Sequence, residues 1–480
     1  MGIYVNPGIN NLKMSKKNQY YVDKSMIITK LNELVESENR FICVSRPRRF
    51  GKTMAANMIA AYYSKGCDSH EIFSDLEISK DPSFDEYINK YTVIKIDMNN
   101  AMNMKKNRSI SEYIDDKVIP ELRIAFPNIV IPKECILPEA IQIIYAQTGE
   151  KFVFLIDEYD VIIRDNLNQK ELEDYLSLLV SLFKGSEVNV AIALAYLTGI
   201  MPIIKEKTQS KLNNFTEYTM LDADILAPYM GFTEDEVKKL CNKANMDFDE
   251  LKRWYDGYKL NGLEIYSPKS VITAIEKKCC KDYWSITGTY ISIRDLIQMN
   301  FEGIRECIVK MIAGEKIAID SYSYRNSMTD FETRDDVFVC LIHLGYLGYD
   351  NLTNECFIPN YELKSEWIRT IKVTSGYKCV MDYINNSKKL LEATWERDEK
   401  AVSQMVEKTH MEVTSNLTYN NEGLFSSAIR LAYFYADSYY KVVNELPAGK
   451  GYADIAFIHI KPEIDSILLR WNVNRVNLGS

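Results

Sequence analysis

The sequence predicts an α/β protein whose first half is a parallel sheet with flanking helices, followed by a mainly helical segment and a second, smaller α/β segment. Three observations predict it. Apolar runs of strand length alternate with helical segments up to about residue 221. A Gly-Lys-Thr tripeptide stands between the first such run and the helix after it. Beyond Leu221 the strand signal fades and capped helices take over. The chain has 480 residues, too many for one ordinary core. A composition of 46% hydrophobic and 26% charged residues, with mean hydropathy −0.22, fits packed domains.

Taken in order, Asp23 precedes an amphipathic stretch from Lys24 to Leu31 and reads as its helix cap. Arg40 to Ser45 is a strand, followed by a polar loop and a helix over Lys52 to Tyr63. Further strands are expected at 92–97, 152–157 and 188–198, with helices around 109–125, 136–148 and 170–184. These make a domain of residues 1–225. A second domain, 226–375, opens helices with patterns such as Thr233 to Val237. It holds a helix at 337–344 and two short strands flanking a turn at 351–354. Helix then hairpin is the signature of a winged-helix-like element. A third domain, 376–480, has long helices near 388–411 and 422–436, then strands at 440–446 and 452–458. The final stretch from Arg470 to Ser480 has neither period nor caps and stops where a small α/β domain would need another strand and helix, so a truncated C-terminus is expected.

Other classes are excluded by what the chain lacks. The start MGIYVNPGINNLKMSKK has no apolar core of a signal peptide, and the longest apolar run, VNVAIALAYLTGI, is too short for a bilayer. A cytoplasmic location without a membrane partner is the expectation. Ten cysteines without a C-x-x-C point to neither a disulfide framework nor a thiolate zinc site. The net charge of −9 and pI near 5.3 confine any nucleic acid contact to a local face.

The chemistry concentrates in two motifs. In Ser45-Arg46-Pro47-Arg48-Arg49-Phe50-Gly51-Lys52-Thr53, a strand-to-helix loop turns backbone N–H groups toward an anion. Lys52 reaches the β and γ phosphates of ATP and the Thr53 hydroxyl ligates Mg²⁺. Arg46 stands where the first glycine of G-x-x-x-x-G-K-[ST] belongs. A lone G-K-T more often just begins a helix. The second motif, Phe152 to Glu158, changes that balance, because it is an apolar strand ending in paired carboxylates. Asp157 supports the metal and Glu158 polarises the attacking water. Thr198, at the end of the next strand, is placed to sense the γ phosphate. Arg46, Arg48 and Arg49 are candidates for phosphate neutralisation or trans arginine fingers, with a solvated basic loop as the competing reading.

Arg46 to Thr53, Tyr21-Val22-Asp23-Lys24, Leu155 to Asp160, Leu212 to Phe215 and Trp254 to Tyr258 together resemble the bacterial AAA-ATPase-like proteins that carry a C-terminal PD-(D/E)XK nuclease-superfamily domain. The absent first glycine is normal in that family. The resemblance implies an ATPase module followed by a nuclease-like fold. Trp254 to Tyr258 reads first as packing and second as a nucleotide sensor.

The nuclease-like pattern runs from Glu445 to Asp454 and offers the single carboxylate of Asp454. Aligned without gaps, the E-x-K of the following strand falls on Leu468 and Arg470. Arginine does not act as a base, and Glu422 at a helix start is more simply favourable to the helix dipole. A degenerate site without nuclease activity is expected. Three functions follow in order. The first is an ATP hydrolase that uses Mg²⁺, with Lys52 and Glu158 catalytic. The second is a nucleotide-gated switch or interaction module with little turnover. The third is a DNA-binding effector. A homo-oligomer is compatible with each.

Overall fold

Five strands form one parallel sheet: β1 (Phe41–Ser45), β2 (Thr92–Asp97), β3 (Phe152–Asp157), β4 (Ile192–Gly199) and β5 (Thr216–Tyr218), in the order β2-β3-β4-β1-β5. The computed structural model describes residues 2–164, 169–203, 212–284, 293–299, 301–322, 324, 331–416, 422–448, 451–459 and 466–469. The three central strands β1, β3 and β4 are buried along their whole length, as strands with both faces covered are, and so show no polar alternation. The edge strands β2 and β5 carry polar and partly exposed residues. Phe41, Cys43, Phe152, Phe154 and Ile156 pack into one apolar layer, and Ile42, Val44, Val153 and Leu155 into the other. In β4, Ala193 and Leu194 both join the second layer. A bulge beside Phe152 and Val153 inserts the extra residue there.

The expected helices are present at Lys52–Tyr63, Ile110–Ala125, Leu137–Thr148 and Gln169–Phe183. Two expectations are corrected. The strand expected from residue 188 begins at Ile192, because Ser186–Asn189 forms a helical turn. Asp23 caps no helix; its carboxylate accepts from the N–H groups of Ser25 (2.8 Å) and Glu77 (2.7 Å) and so ties two loops together. The fifth strand, Thr216–Tyr218, was too short to carry a pattern.

The chain folds as two compact units, residues 1–284 with 319–361 and residues 285–318 with 362–480. The boundary expected near 226 falls inside the first unit, and the one near 376 inside the second. Beyond the sheet, the first unit holds three short antiparallel strands, Phe232–Thr233, Tyr258–Leu260 and Leu263–Tyr266. Helices Glu234–Ala244, Phe248–Tyr255 and Pro268–Lys277 accompany them. Helix Arg334–Leu344 precedes an antiparallel hairpin, Gly348–Asp350 with Glu355–Phe357. Lys24 fastens the N-terminal segment to this region, donating to Pro228 O (2.7 Å) and to Glu236 Oε2 (2.6 Å). Glu236 is already the capping-box residue of helix Glu234–Ala244.

In the second unit, the single helix expected over 388–411 is two, Lys378–Trp395 and Glu399–Asn416. Arg397 turns left-handed between them (φ 59), and Asp398 accepts from the N–H of Ala401 to start the second. Strands Tyr440–Ala448 and Gly451–His459 form the expected hairpin. A third strand, Ile467–Leu469, pairs antiparallel with it and sets Leu468 opposite Ala456. Asp437 is the polar anchor of this unit, bridged by Lys364 at 2.8 Å and Arg430 at 2.6 Å. Burial pushes its carboxyl up, but the two cations outweigh that and hold it down at about 2.

Because its folded value lies below the unfolded one, Asp437 contributes stability above pH ~4 and loses it as pH falls toward ~2. Asp437→Ala leaves two cations half-buried and unneutralised. Urea melts at neutral pH should show a loss of about 3 kcal/mol in the second unit, shrinking as pH is lowered through that window.

Candidate nucleotide-binding site

The site forms where β1, β3 and β4 end together at the carboxyl edge of the sheet, the usual position for ligands in parallel α/β folds. After Ser45 the chain leaves β1, turns at Arg48 and Arg49, and enters helix Lys52–Tyr63 through Gly51. Gly51 has φ 90, a left-handed conformation that any side chain would strain. A Cβ there would meet nothing within 4 Å. Glycine is therefore demanded by the backbone turn, and the space in front of the helix is open. The first N–H groups of the helix have no intrahelical acceptor, and Thr53 is exposed in that first turn.

Lys52 is buried. Its ammonium donates to Arg46 O (2.9 Å) and Pro47 O (3.0 Å), so the loop curls around its own lysine. Burial lowers its pKa, and the nearby carboxylates of Glu158, Asp160 and Asp157 oppose that. Asp157, buried at the end of β3, accepts from the hydroxyl of Thr198 on β4 and from the N–H of Glu158 at 3.2 Å. Glu158 has φ 53, a strained value for a residue with a side chain. Burial raises its pKa, chiefly against the pull of Lys52. The structure thus brings Lys52, Thr53, Asp157, Glu158 and Thr198 to one edge.

The three arginines diverge. Arg46 is fully buried, donates from Nη1 to Ser45 O (2.7 Å) and Tyr218 O (2.9 Å), and is lowered to about 10 by burial. A guanidinium enclosed beneath the loop reaches neither a phosphate nor a neighbouring subunit, so the finger reading fails for Arg46. Its role is to tie the end of β1 to edge strand β5. Arg48 is half-buried, and Arg49, at φ 73, donates to Tyr283 O at 3.3 Å.

The back of the loop is seated on later parts of the first unit. Phe50 sets its ring edge-on to Tyr258, with centroids 5.2 Å apart, and its carbonyl accepts from Gly231 N at 3.1 Å. The Tyr258 hydroxyl donates to Gly345 O at 2.6 Å. Gly345 ends helix Arg334–Leu344 at φ 85, and a Cβ there would come within 2.6 Å of the Pro47 side chain. Trp254 packs on Tyr361 at 4.8 Å, in keeping with the packing reading of its motif. Phe215 likewise packs against Phe41 and Phe183, both at 5.4 Å.

Sequence reasoning passed over several groups. Asp160 accepts at one oxygen from Ile200 N (3.1 Å) and Met201 N (2.9 Å), which pins the end of β4. Arg164 lies 2.9 Å from the same oxygen and donates to Glu158 Oε2 at 3.2 Å. A Cβ on Gly199 would strike Tyr159 and Asp160 within 2.7 Å, so that close approach requires glycine. Asp160 was visible within L-I-D-E-Y-D, whereas Arg164 and Gly199 carried no local signal. Asp454 lies on strand Gly451–His459 and Glu422 opens helix Glu422–Ala432. Arg470 lies outside the described residues.

A buried lysine at a glycine-entered helix, facing a strand that ends in Asp-Glu, defines a P-loop-type α/β domain. Residues 7–208 match the family described as Predicted AAA-ATPase, so this part of the chain is similar to that family. The chain is also similar to the "Uncharacterized protein in vnfD 5'region" of Azotobacter chroococcum mcd 1, 27% identical over 284 residues. That match covers 58% of this chain and 52% of the relative, so the chain spans about half the relative's length. Among solved structures, the Aeropyrum pernix ORC2 protein (ADPNP-ADP complexes) superposes with a TM-score of 0.33 at 11% identity, over 73% of this chain and 92% of that one. A katanin structure gives 0.24 at 12% identity, over 58% and 73%. Among the described residues, no helix is long and apolar enough to cross a membrane.

Gly345→Ala drives a methyl into Pro47 and strains a left-handed turn. It should weaken nucleotide binding in a calorimetric titration while Tyr258→Phe, which removes one hydrogen bond, costs only about 1 kcal/mol of unfolding free energy.

Proposed function

We propose that the first unit binds ATP with Mg²⁺ and hydrolyses it, through the site formed by Lys52, Thr53, Asp157, Glu158 and Thr198. The observation that carries this reading is Lys52, a buried ammonium whose hydrogen bonds go to two carbonyls of its own loop, at the open mouth of a helix N-terminus. Such a cation gains most when an anion enters, because the surrounding dielectric is low. Thr53 and, through its water shell, Asp157 would hold the metal. That donor set fits, since Mg²⁺ keeps several waters and needs few carboxylates beside phosphate oxygens. Bound Mg²⁺ supplies neutralisation of the phosphate charge. Glu158, aimed by its strained backbone, polarises the water, and Thr198, whose hydroxyl donates to the Asp157 carboxylate, senses the γ phosphate.

The seating of Pro47 and Phe50 favours a second reading, a switch in which nucleotide binding is reported by helix Arg334–Leu344 and its winged-helix-like hairpin. For the second unit we infer a nuclease-like fold without nuclease activity. Leu468 supports this, because an apolar residue on the third strand cannot hold a metal.

Wild type should hydrolyse ATP and stop when EDTA removes the metal. Glu158→Gln should bind ATP normally yet lose about 100-fold or more in kcat, and Lys52→Ala should weaken ATP affinity by roughly 10- to 100-fold. Binding without turnover above Glu158→Gln would favour the switch, and no binding would refute both. In the same preparation, DNA incubated with Mg²⁺ should be cut no faster than by Asp454→Ala.

A further inference from the structure

A carboxylate that polarises water must be held within a fraction of an ångström, and a flexible glutamate does not hold itself. Two features at the end of β3 act on Glu158. Its backbone is left-handed at φ 53, a conformation that persists only when neighbours over-determine it. Those neighbours are present. Tyr159 N donates to Thr198 O at 2.8 Å, the Tyr159 hydroxyl donates to Met201 O at 2.8 Å, and Asp160 accepts from Ile200 and Met201.

The side chain is held from the other direction. Arg164, three residues into the helical turn Val161–Arg164, has a side chain only 10% exposed. It lies between two carboxylates, donating from Nη2 to Glu158 Oε2 at 3.2 Å while Nε stands 2.9 Å from Asp160 Oδ2. The planar guanidinium is suited to this, since its donors diverge in a fixed fork that an ammonium lacks. Asp160 is buried and accepts from two backbone N–H groups at the end of β4, so Arg164 links Glu158 to β4 through it.

We propose that Arg164 is the positioning residue of the hydrolytic site, its guanidinium shared between Glu158 and Asp160 so that the water-polarising carboxylate is held in register with the end of β4. This rests on the ATPase reading above and deepens it. In this assignment Arg164 serves turnover by holding Glu158 and is given no contact with the nucleotide. Its loss therefore falls on kcat and spares binding.

The test is steady-state ATP turnover by the full chain as wild type, Glu158→Gln, Arg164→Gln and Arg164→Lys, with ATP affinity and thermal unfolding measured on each. Arg164→Gln should lower kcat by about 10- to 100-fold with KM and ATP affinity within about twofold of wild type, and Arg164→Lys should recover part of the loss. If Glu158→Gln is inactive while Arg164→Gln turns over like wild type, the positioning role is wrong and the ATPase reading stands. If both Arg164 variants lose folding or ATP binding along with turnover, Arg164 is structural and the proposal is overturned. If wild type itself shows no turnover, the ATPase reading falls first and the proposal with it.

Discussion

A cation buried against the carbonyls of its own loop is the constraint on which the first unit depends. The Lys52 ammonium cannot be left unsatisfied in a low-dielectric interior, and the carbonyls of Arg46 and Pro47 turn inward to meet it. Turning those carbonyls inward fixes the curl of the loop and leaves its other face open to an anion. The same need brings Asp157, Glu158 and Asp160 to the neighbouring strand ends, where their charge offsets the burial of the lysine. Sheet order makes this geometry available, because β4 separates β1 from β3 and so leaves room between loop and carboxylates for a phosphate chain.

The loop has a second, apolar constraint. Its residues Pro47 and Phe50 are bulky and pack away from the open face, against Gly345 and Tyr258. This ties the Arg46 to Gly51 loop to elements 200 and more residues later in the chain. Lys24 and Glu236 add a polar strut between the N-terminal segment and the same region. A sheet domain that ended near residue 225 would leave Phe50 and Pro47 without partners, which is why the first unit extends to residue 284 and takes in 319–361.

The second unit is organised differently. Its helices close around the ion triad of Asp437, Lys364 and Arg430, and a hairpin with a short third strand completes it. The residue opposite Ala456 on that strand is Leu468, which supplies no carboxylate.

Local order was legible wherever a single segment carried its own reason. Lys52–Tyr63 and Phe152–Asp157 have the bounds that their sequences suggest, because an uninterrupted apolar run and a glycine-entered helix need no distant partner to be recognised. The placement of Asp157 and Glu158 at a strand end and of Thr53 in the first turn of a helix was readable for the same reason. What sequence could not show depended on residues far apart in the chain. The burial of Arg46 is decided by Tyr218, the necessity of Gly345 by Pro47, and the grip on Glu158 by a guanidinium shared with Asp160 and, through it, by Met201. Sequence alone determined that a Gly-Lys-Thr loop between strand and helix and an acidic strand end exist here, since both are properties of short contiguous stretches. Only the tertiary structure decided which charges face the ligand and which merely hold the loop, because a charge's role is set by what surrounds it after folding.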